Sequence, residues 1–585
     1  MYASNVKQNT LPLLLKRLRI GAYELYALLL IGFAIGLRIL LLSLGWPTTN
    51  SDEGTMGLMA RHIAYNGEHP IYFYGYNYMG ALEAYLGAAF FHLFGASVFT
   101  LRLGIILLDS LFLLSMYLLT SLLYSKRFAL GVLVVLSLGS NAIFLRELYA
   151  TGGSTQTLFF GSLTFLLATW LGLTYSRELS PRRKWQRFAA YAVWGMTIGL
   201  GLWSDWVVLP FFMMAGLLLM VFCWCDVRSL APFCLLGGLV LGAIPLIVHD
   251  LHAAPGQDSF STFVGLFHGT GVQAPRKLAQ YLQGIKSTLD VSLPTATGDP
   301  FCPAPAVNFA SDGSPKSTTC KIIHTFWSMG YIVLWMLSVW LTVRVLWKLR
   351  AALKGRVLEE RQDVIIHFAR LFLLVAGGIA VASYAISSAP LGMPHSHARY
   401  LVGLLMVTSA ILWPLWSGAS GSLKRLAGRG TVGYSFTAVR GKMLLCRGLL
   451  LLVSLLFLIG VVNTFGDIPS SQAANGQQDG LIANLQRIGA THIYTDYWTC
   501  DRIAFVSQEK IICGVLDNNL QPSHNRYAPY YTLVKTDPHT AYVFSYDMFS
   551  NTNLVQKAHL SRSAFQRFVF DGYIVYKPLP TTMVK

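Results

Sequence analysis

Two adjacent carboxylates, Asp52 and Glu53, stand just beyond the first apolar run of the chain and form its strongest chemical signal. A carboxylate held at a membrane boundary can take the proton from a hydroxyl presented by an interfacial substrate, a role worth about 10² to 10⁴ in rate. The residues that follow, GTMGLMARHI, put Met56, Met59, Ala60 and Ile63 on one helical face. That pattern predicts a helix lying along the membrane surface with the acids at its start. Further polar residues stand at the ends of other apolar runs. Arg146 and Glu147 precede YATGGSTQ, where Gly152 and Gly153 allow close backbone approach to a ligand. Asp205 lies between Trp203 and Trp206, placed to bind substrate hydroxyls. Arg399 and Tyr400 close the sequence HSHARY, and an arginine there offers the forked geometry that suits phosphate oxygens. His395 and His397 in the same loop read as polar loop residues, and no metal site is expected.

The elements that must position these groups are set by composition. Of 585 residues, 54% are hydrophobic and only 12% charged, against about 25% charged in soluble domains. Repeated apolar runs of about 20 residues fit helices crossing a hydrocarbon core. A transmembrane barrel is excluded, since its strands would alternate in hydrophobicity. The net charge of +18 would point to nucleic acid in a soluble protein, but the basic residues gather in alternate loops, as the positive-inside rule requires. No nucleic-acid partner is expected.

The apolar runs predict about 11 helices, near residues 23–44, 100–122, 128–146, 156–175, 188–204, 207–224, 230–248, 325–346, 365–388, 400–417 and 444–462. Lys16, Arg17 and Arg19 precede the first, which reads as an uncleaved signal anchor with its basic side inside. The loop 45–99, the long Pro- and Gly-rich loop 251–324 and the chain beyond 466 then fall outside, while the basic segments, including the one with Lys424, Arg425 and Arg429, fall inside. Asp109 lies within the second helix, where it is expected to be satisfied by partners inside the bundle.

Residues 467–585 change to the composition of a small soluble domain. LIANLQRIG reads as an amphipathic helix, and THIYTDY, EKIICGVL, TAYVFSY and GYIVYKP as strands of a mixed sheet. The fold class is therefore mainly α: a polytopic helix bundle, residues 1–466, with an extracytoplasmic α/β domain, 467–585. Cys302, Cys320, Cys500 and Cys513 all fall outside, where two disulfides can form. Cys223, Cys225, Cys234 and Cys446 fall in helices or near the inner face.

The SDEG motif after the first helix, the run YGYNYMGALEAYLGAAFFHLFGASVFTLRL, and its ending with Phe94, Gly95, Ser97, Arg102 and Leu103 resemble the first outer loop of GT-C superfamily glycosyltransferases. The likeness is strongest to the bacterial branch of protein O-mannosyltransferases and aminoarabinose lipid A transferases, and it covers about residues 20–420. It implies a GT-C bundle that moves a hexosyl or pentosyl group, with inversion, from a polyprenyl-phosphate carrier to an extracytoplasmic protein, lipid or glycan acceptor. Asp52 then corresponds to the general base or acceptor-positioning group, with Glu53 assisting it or binding, and Arg399 and Tyr400 to the donor-phosphate contact. Glu147, Asp205, Tyr78 and Glu83 become candidates for binding acceptor or sugar, although Glu83 can equally anchor the loop. No cofactor is expected. A transporter or lipid-linked sugar flippase is the alternative, but such proteins favour paired repeats and charges near the midplane, whereas the acids here gather at the outer ends.

Overall fold

The computed structural model describes residues 21–176, 180–268, 277–302, 317–354, 358–420, 436–546, 564–570 and 572–579. The basic residues expected at 16–19 and 424–429 lie outside these. Apolar runs become helices because only a helix satisfies every backbone polar group within its own segment in hydrocarbon. The first part of the chain forms α1 (Ala22–Ser43), α2 (Ser51–Arg61), α3 (Leu82–Phe94), α4 (Val98–Leu123), α5 (Lys126–Ser137), α6 (Asn141–Leu148) and α7 (Ser154–Leu173).

The expected spans fall on helical residues apart from short breaks such as 138–140. Among the described residues six helices are long and apolar enough to cross a membrane, or nine when three bent pairs count as single spans. The pairs are α5 with α6, bent by 88°, Ala231–Gly242 with Ile244–His252, by 62°, and Pro394–Leu401 with Leu404–Ala419, by 74°. The two expected spans outside this count have local reasons. Helix Pro181–Ser204 carries Arg182, Arg183, Lys184 and Arg187 in its first two turns, and Leu209–Phe222 has only 14 residues.

After the helix Phe436–Gly466 comes Ile468–Arg487, which contains the expected amphipathic segment. Then follow β1 (His492–Thr495), β2 (Ile512–Val515), β3 (Ala541–Ser545), β4 (Phe565–Phe570) and β5 (Tyr573–Pro578) in one mixed sheet of order β2-β1-β3-β5-β4. β1 runs parallel to β2 and β3, and β5 antiparallel to β3 and β4. The four expected strands are present. β4 lies outside the expected strands: it is an edge strand with no fully buried residue, and its FQRFVF run does not alternate apolar with polar residues. Cys302 pairs with Cys320 and Cys500 with Cys513, at Cα separations of 5.9 and 5.5 Å.

One expectation fails instructively. Met56, Met59 and Ala60 of α2 are fully buried, but in a core shared with Ile503, Ala504 and Phe505 of the C-terminal domain. The apolar face of α2 is thus covered by protein and is not laid on lipid. Packing is close enough that a Cβ at Gly54 would lie 2.6 Å from the Asp501 carbonyl oxygen, and one at Gly57 2.6 Å from the Phe505 ring. Thr55 donates to the Asp501 carboxylate at 2.6 Å, and the Asp501 N–H donates to Ser51 Oγ at 3.0 Å. Burial pushes the Asp501 carboxyl up to about 6.

Candidate active site

Asp52 opens α2. Asn50 caps that helix, accepting the Glu53 N–H at 2.9 Å, and this fixes the first turn. Successive side chains on a helix diverge by about 100°, so the two acids face different ways. Asp52 lines a cleft of about 550 Å³, partly open to solvent, with Tyr76, Tyr78, Asp205, Arg399 and Tyr400 around it. The loop Thr151–Gly153 and the first turn of α7, through Ser154 and Thr157, supply another wall.

Five of the candidates named from sequence therefore share one cleft: Asp52, Tyr78, Asp205, Arg399 and Tyr400. They arrive from four separated stretches of chain. Asp205 ends the helix Pro181–Ser204 and caps the next turn by accepting the Val207 N–H at 3.0 Å. Burial raises its pKa, opposed by that hydrogen bond and by the nearby Arg399 charge. Arg399 lies near the end of Pro394–Leu401, just before the bend into Leu404–Ala419, and donates to Tyr400 Oη at 3.2 Å. Burial likewise raises the Tyr78 hydroxyl.

The double-glycine loop has a steric role. Gly152 and Gly153 adopt φ of +86° and +90°, a region that disfavours side chains. A Cβ on Gly153 would collide with the Asp205 carboxylate, and one on Gly152 would press on Met79 at 3.0 Å.

Three candidates are elsewhere. Glu53 is fully buried away from the cleft in a forked pair with Arg102, at 2.7 and 2.6 Å, and also accepts the Ala150 N–H at 3.2 Å. Arg102 further donates to the Pro47 carbonyl at 3.0 Å. Glu147 turns into the bundle, where Arg38 bridges it at 2.5 Å and Asp109 at 2.8 Å. Asp109 is thus satisfied by a partner inside the bundle, as expected. Arg146, next in sequence, points the other way and donates to the His395 and Ser396 carbonyls at 3.2 and 2.9 Å. Glu83 lies behind the cleft wall: it accepts the Gly152 N–H at 2.9 Å, and burial pushes its carboxyl up to about 8. Of its two readings, the geometry fits the loop anchor.

Two residues that the sequence reading passed over reach Asp52 from the C-terminal domain. The Tyr497 hydroxyl donates to Asp52 Oδ1, and Arg526 Nη2 lies 3.6 Å from the same oxygen. Arg526 also donates to Tyr76 Oη at 2.9 Å, with its guanidinium 4.0 Å above the Tyr76 ring. The only hint was Tyr76 itself, two residues before Tyr78 in the aromatic run.

Among the described residues, the groups nearest a metal site are Asp299, Cys302 and His324, and Cys500, Asp501 and Cys513. Both commit cysteine sulfur to disulfides, leaving two donors and one donor, fewer than the three or four protein ligands of a zinc site.

An apolar groove of about 790 Å³, partly open to solvent, is lined by Leu289, Leu293, Tyr331, Trp335, Val381 and Leu404 among others. Tyr400 of the cleft and Leu404 of the groove flank a single bend of the chain.

The helix bundle with its bent pairs and small C-terminal sheet shares its fold with solved structures. The chain is similar over 96% of its length to ArnT from Cupriavidus metallidurans in the apo state, which it covers to 99%, with a TM-score of 0.52 at 13% identity. ArnT from the same organism bound to undecaprenyl phosphate gives a TM-score of 0.50 at 11% identity, covering 95% of this chain and 98% of that one. The apo oligosaccharyltransferase of Archaeoglobus fulgidus gives 0.50 at 14% identity, covering 96% of this chain and 75% of that one. No family model and no curated protein matches the sequence.

Proposed function

We propose that this protein transfers a sugar from a polyprenyl-phosphate carrier to a hydroxyl-bearing acceptor outside the membrane, with Asp52 as general base. The observation that carries the reading is the single cleft shared by Asp52 and Arg399, together with an apolar groove across the bend after Tyr400. Arg399 and Tyr400 hold the donor phosphate, where a guanidinium matches phosphate oxygens in pairs. The groove takes the first isoprene units of the carrier, and the undecaprenyl phosphate carried by the ArnT neighbour is a ligand of this kind.

The chemistry then balances within the cleft. Asp52 takes the proton from the acceptor hydroxyl as its oxygen bonds to sugar C1. The bond from C1 to the phosphate oxygen breaks, and the electron pair leaves with the polyprenyl phosphate. Attack opposite the departing phosphate inverts C1. Asp205 and Tyr78 hold sugar or acceptor hydroxyls. Because Tyr497 and Arg526 meet Asp52, the outer domain lies on the side of the membrane where transfer occurs.

The test is mass spectrometry of envelope lipids, glycans and proteins from cells with and without this chain, and with Asp52→Asn. A sugar adduct that appears with the native chain and is lost in Asp52→Asn supports the reading. An adduct undiminished in Asp52→Asn overturns the base assignment. An altered carrier-lipid distribution across the membrane without any adduct favours the flippase.

A further inference from the structure

We propose that Tyr497 and Arg526 of the outer domain are positioning residues for Asp52, so that the active site is assembled from two halves of the chain. The proposal rests on the reading of Asp52 as the base and adds what makes it effective. A free carboxylate rotates about its terminal bond, and its two oxygens exchange places. Here the Tyr497 hydroxyl and the Arg526 guanidinium both address Oδ1, whereas among the described residues no group donates to Oδ2. The equivalence of the oxygens is broken, and Oδ2 is left to receive the proton.

Arg526 is built in. Its side chain is 8% exposed and that of Asp52 18%, so the pair is shielded in a way that ordinary surface ion pairs are not. It donates to the Tyr497 hydroxyl at 3.0 Å from Nη2 and 3.1 Å from Nε, and to Tyr76 Oη at 2.9 Å. One guanidinium therefore ties the partner of Asp52 to the aromatic wall of the cleft. The loop crosses over it at Gly75, whose φ is +75° and where a Cβ would come within 3.3 Å of Arg526 Cδ. The contact of α2 with the helix Tyr497–Val506, through Ser51, Thr55 and Asp501, keeps the two halves in register. A misplacement of about 1 Å in a reacting group costs on the order of 10²-fold in rate, which is the scale on which such tethers act.

The experiment compares the rate of adduct formation in cells expressing Arg526→Gln, Arg526→Lys and Tyr497→Phe at matched protein levels, each alone and combined with Asp52→Asn. Purified full-length variants are titrated with undecaprenyl phosphate as a control for the donor side. Expected are a loss of about 10- to 100-fold in Arg526→Gln, a partial rescue in Arg526→Lys and a smaller loss in Tyr497→Phe, all with undecaprenyl phosphate binding retained. In the Asp52→Asn background the same substitutions should cost nothing further, because they act through that carboxylate. Tyr497→Phe removes a single oxygen and keeps the test alive if Arg526→Gln fails to fold. Native rates in Tyr497→Phe and Arg526→Lys, or equal losses with and without Asp52, overturn the proposal. A fully active Asp52→Asn instead overturns the base assignment on which it stands.

Discussion

Asp52 and Glu53 are neighbours in sequence with the same charge, yet the fold uses them in opposite ways. Glu53 is closed off from solvent, with both oxygens forked onto Arg102. Asp52 is held at one oxygen and open at the other, in a cleft that also holds Arg399. One step along the helix, a rotation of about 100°, separates a carboxylate spent on assembly from one left available for chemistry. An acidic pair in a sequence is thus two different objects once a helix has rotated them apart. Which is which depends on partners about 50 and more than 400 residues away.

The largest effect should come from breaking the closed pair. Arg102→Met leaves Glu53 buried without its cation, which costs about 3–5 kcal/mol, and a thermal melt of the purified protein in detergent should show a much lower midpoint. An unchanged midpoint would remove the distinction between the two acids. Next, Asp52→Asn should lower transfer by about 10²-fold or more while leaving the melting midpoint near that of the native protein. Loss of both fold and activity would make Asp52 a second Glu53. Arg399→Lys replaces a fork with a point charge, so undecaprenyl phosphate should bind about 10-fold more weakly, close to 1.4 kcal/mol, by quenching of tryptophan fluorescence. The smallest effect concerns Glu83. Its folded pKa is raised from 4.5 to about 8 by burial, so the folded state binds the extra proton between those values. Stability then falls as pH rises from about 4.5 to about 8. Glu83→Gln should flatten that part of the melting-versus-pH curve, and an unaltered slope would assign it to another group.

Much of the bundle was legible because burial in lipid writes apolar runs directly into sequence, and the buried strands β1, β2, β3 and β5 carried the same kind of signal. The edge strand β4 does not alternate: Gln566 and Arg567 interrupt its apolar Phe565, Phe568, Val569 and Phe570. Charge bias placed Asp52, Asp205 and Arg399 at one face, and the structure brings all three to one cleft. Glu147 could not be separated from them by that bias, because only three dimensions reveal Arg38 and Asp109 on its side of α6. Tyr497 and Arg526 were invisible for a related reason: a long-range partner leaves no periodicity. Arg102 had been noticed only as part of a resemblance, and its pairing with Glu53 supplies a physical reason for an arginine there.

The bare backbone at Gly54, seated against Asp501 and Arg502, carries a consequence for modularity. The C-terminal domain looks detachable, since it begins after a long helix and has its own sheet. Yet the membrane half contributes α2 to that domain's core, and the domain contributes the tether of the proposed base. A chimera joined at Gly466 to a foreign C-terminal domain would keep every residue of the apolar groove and lose the surface on which α2 is seated. The two halves can be exchanged only together with the loop between α1 and α4, which makes that loop, and not the end of the last long helix, the true seam of the molecule.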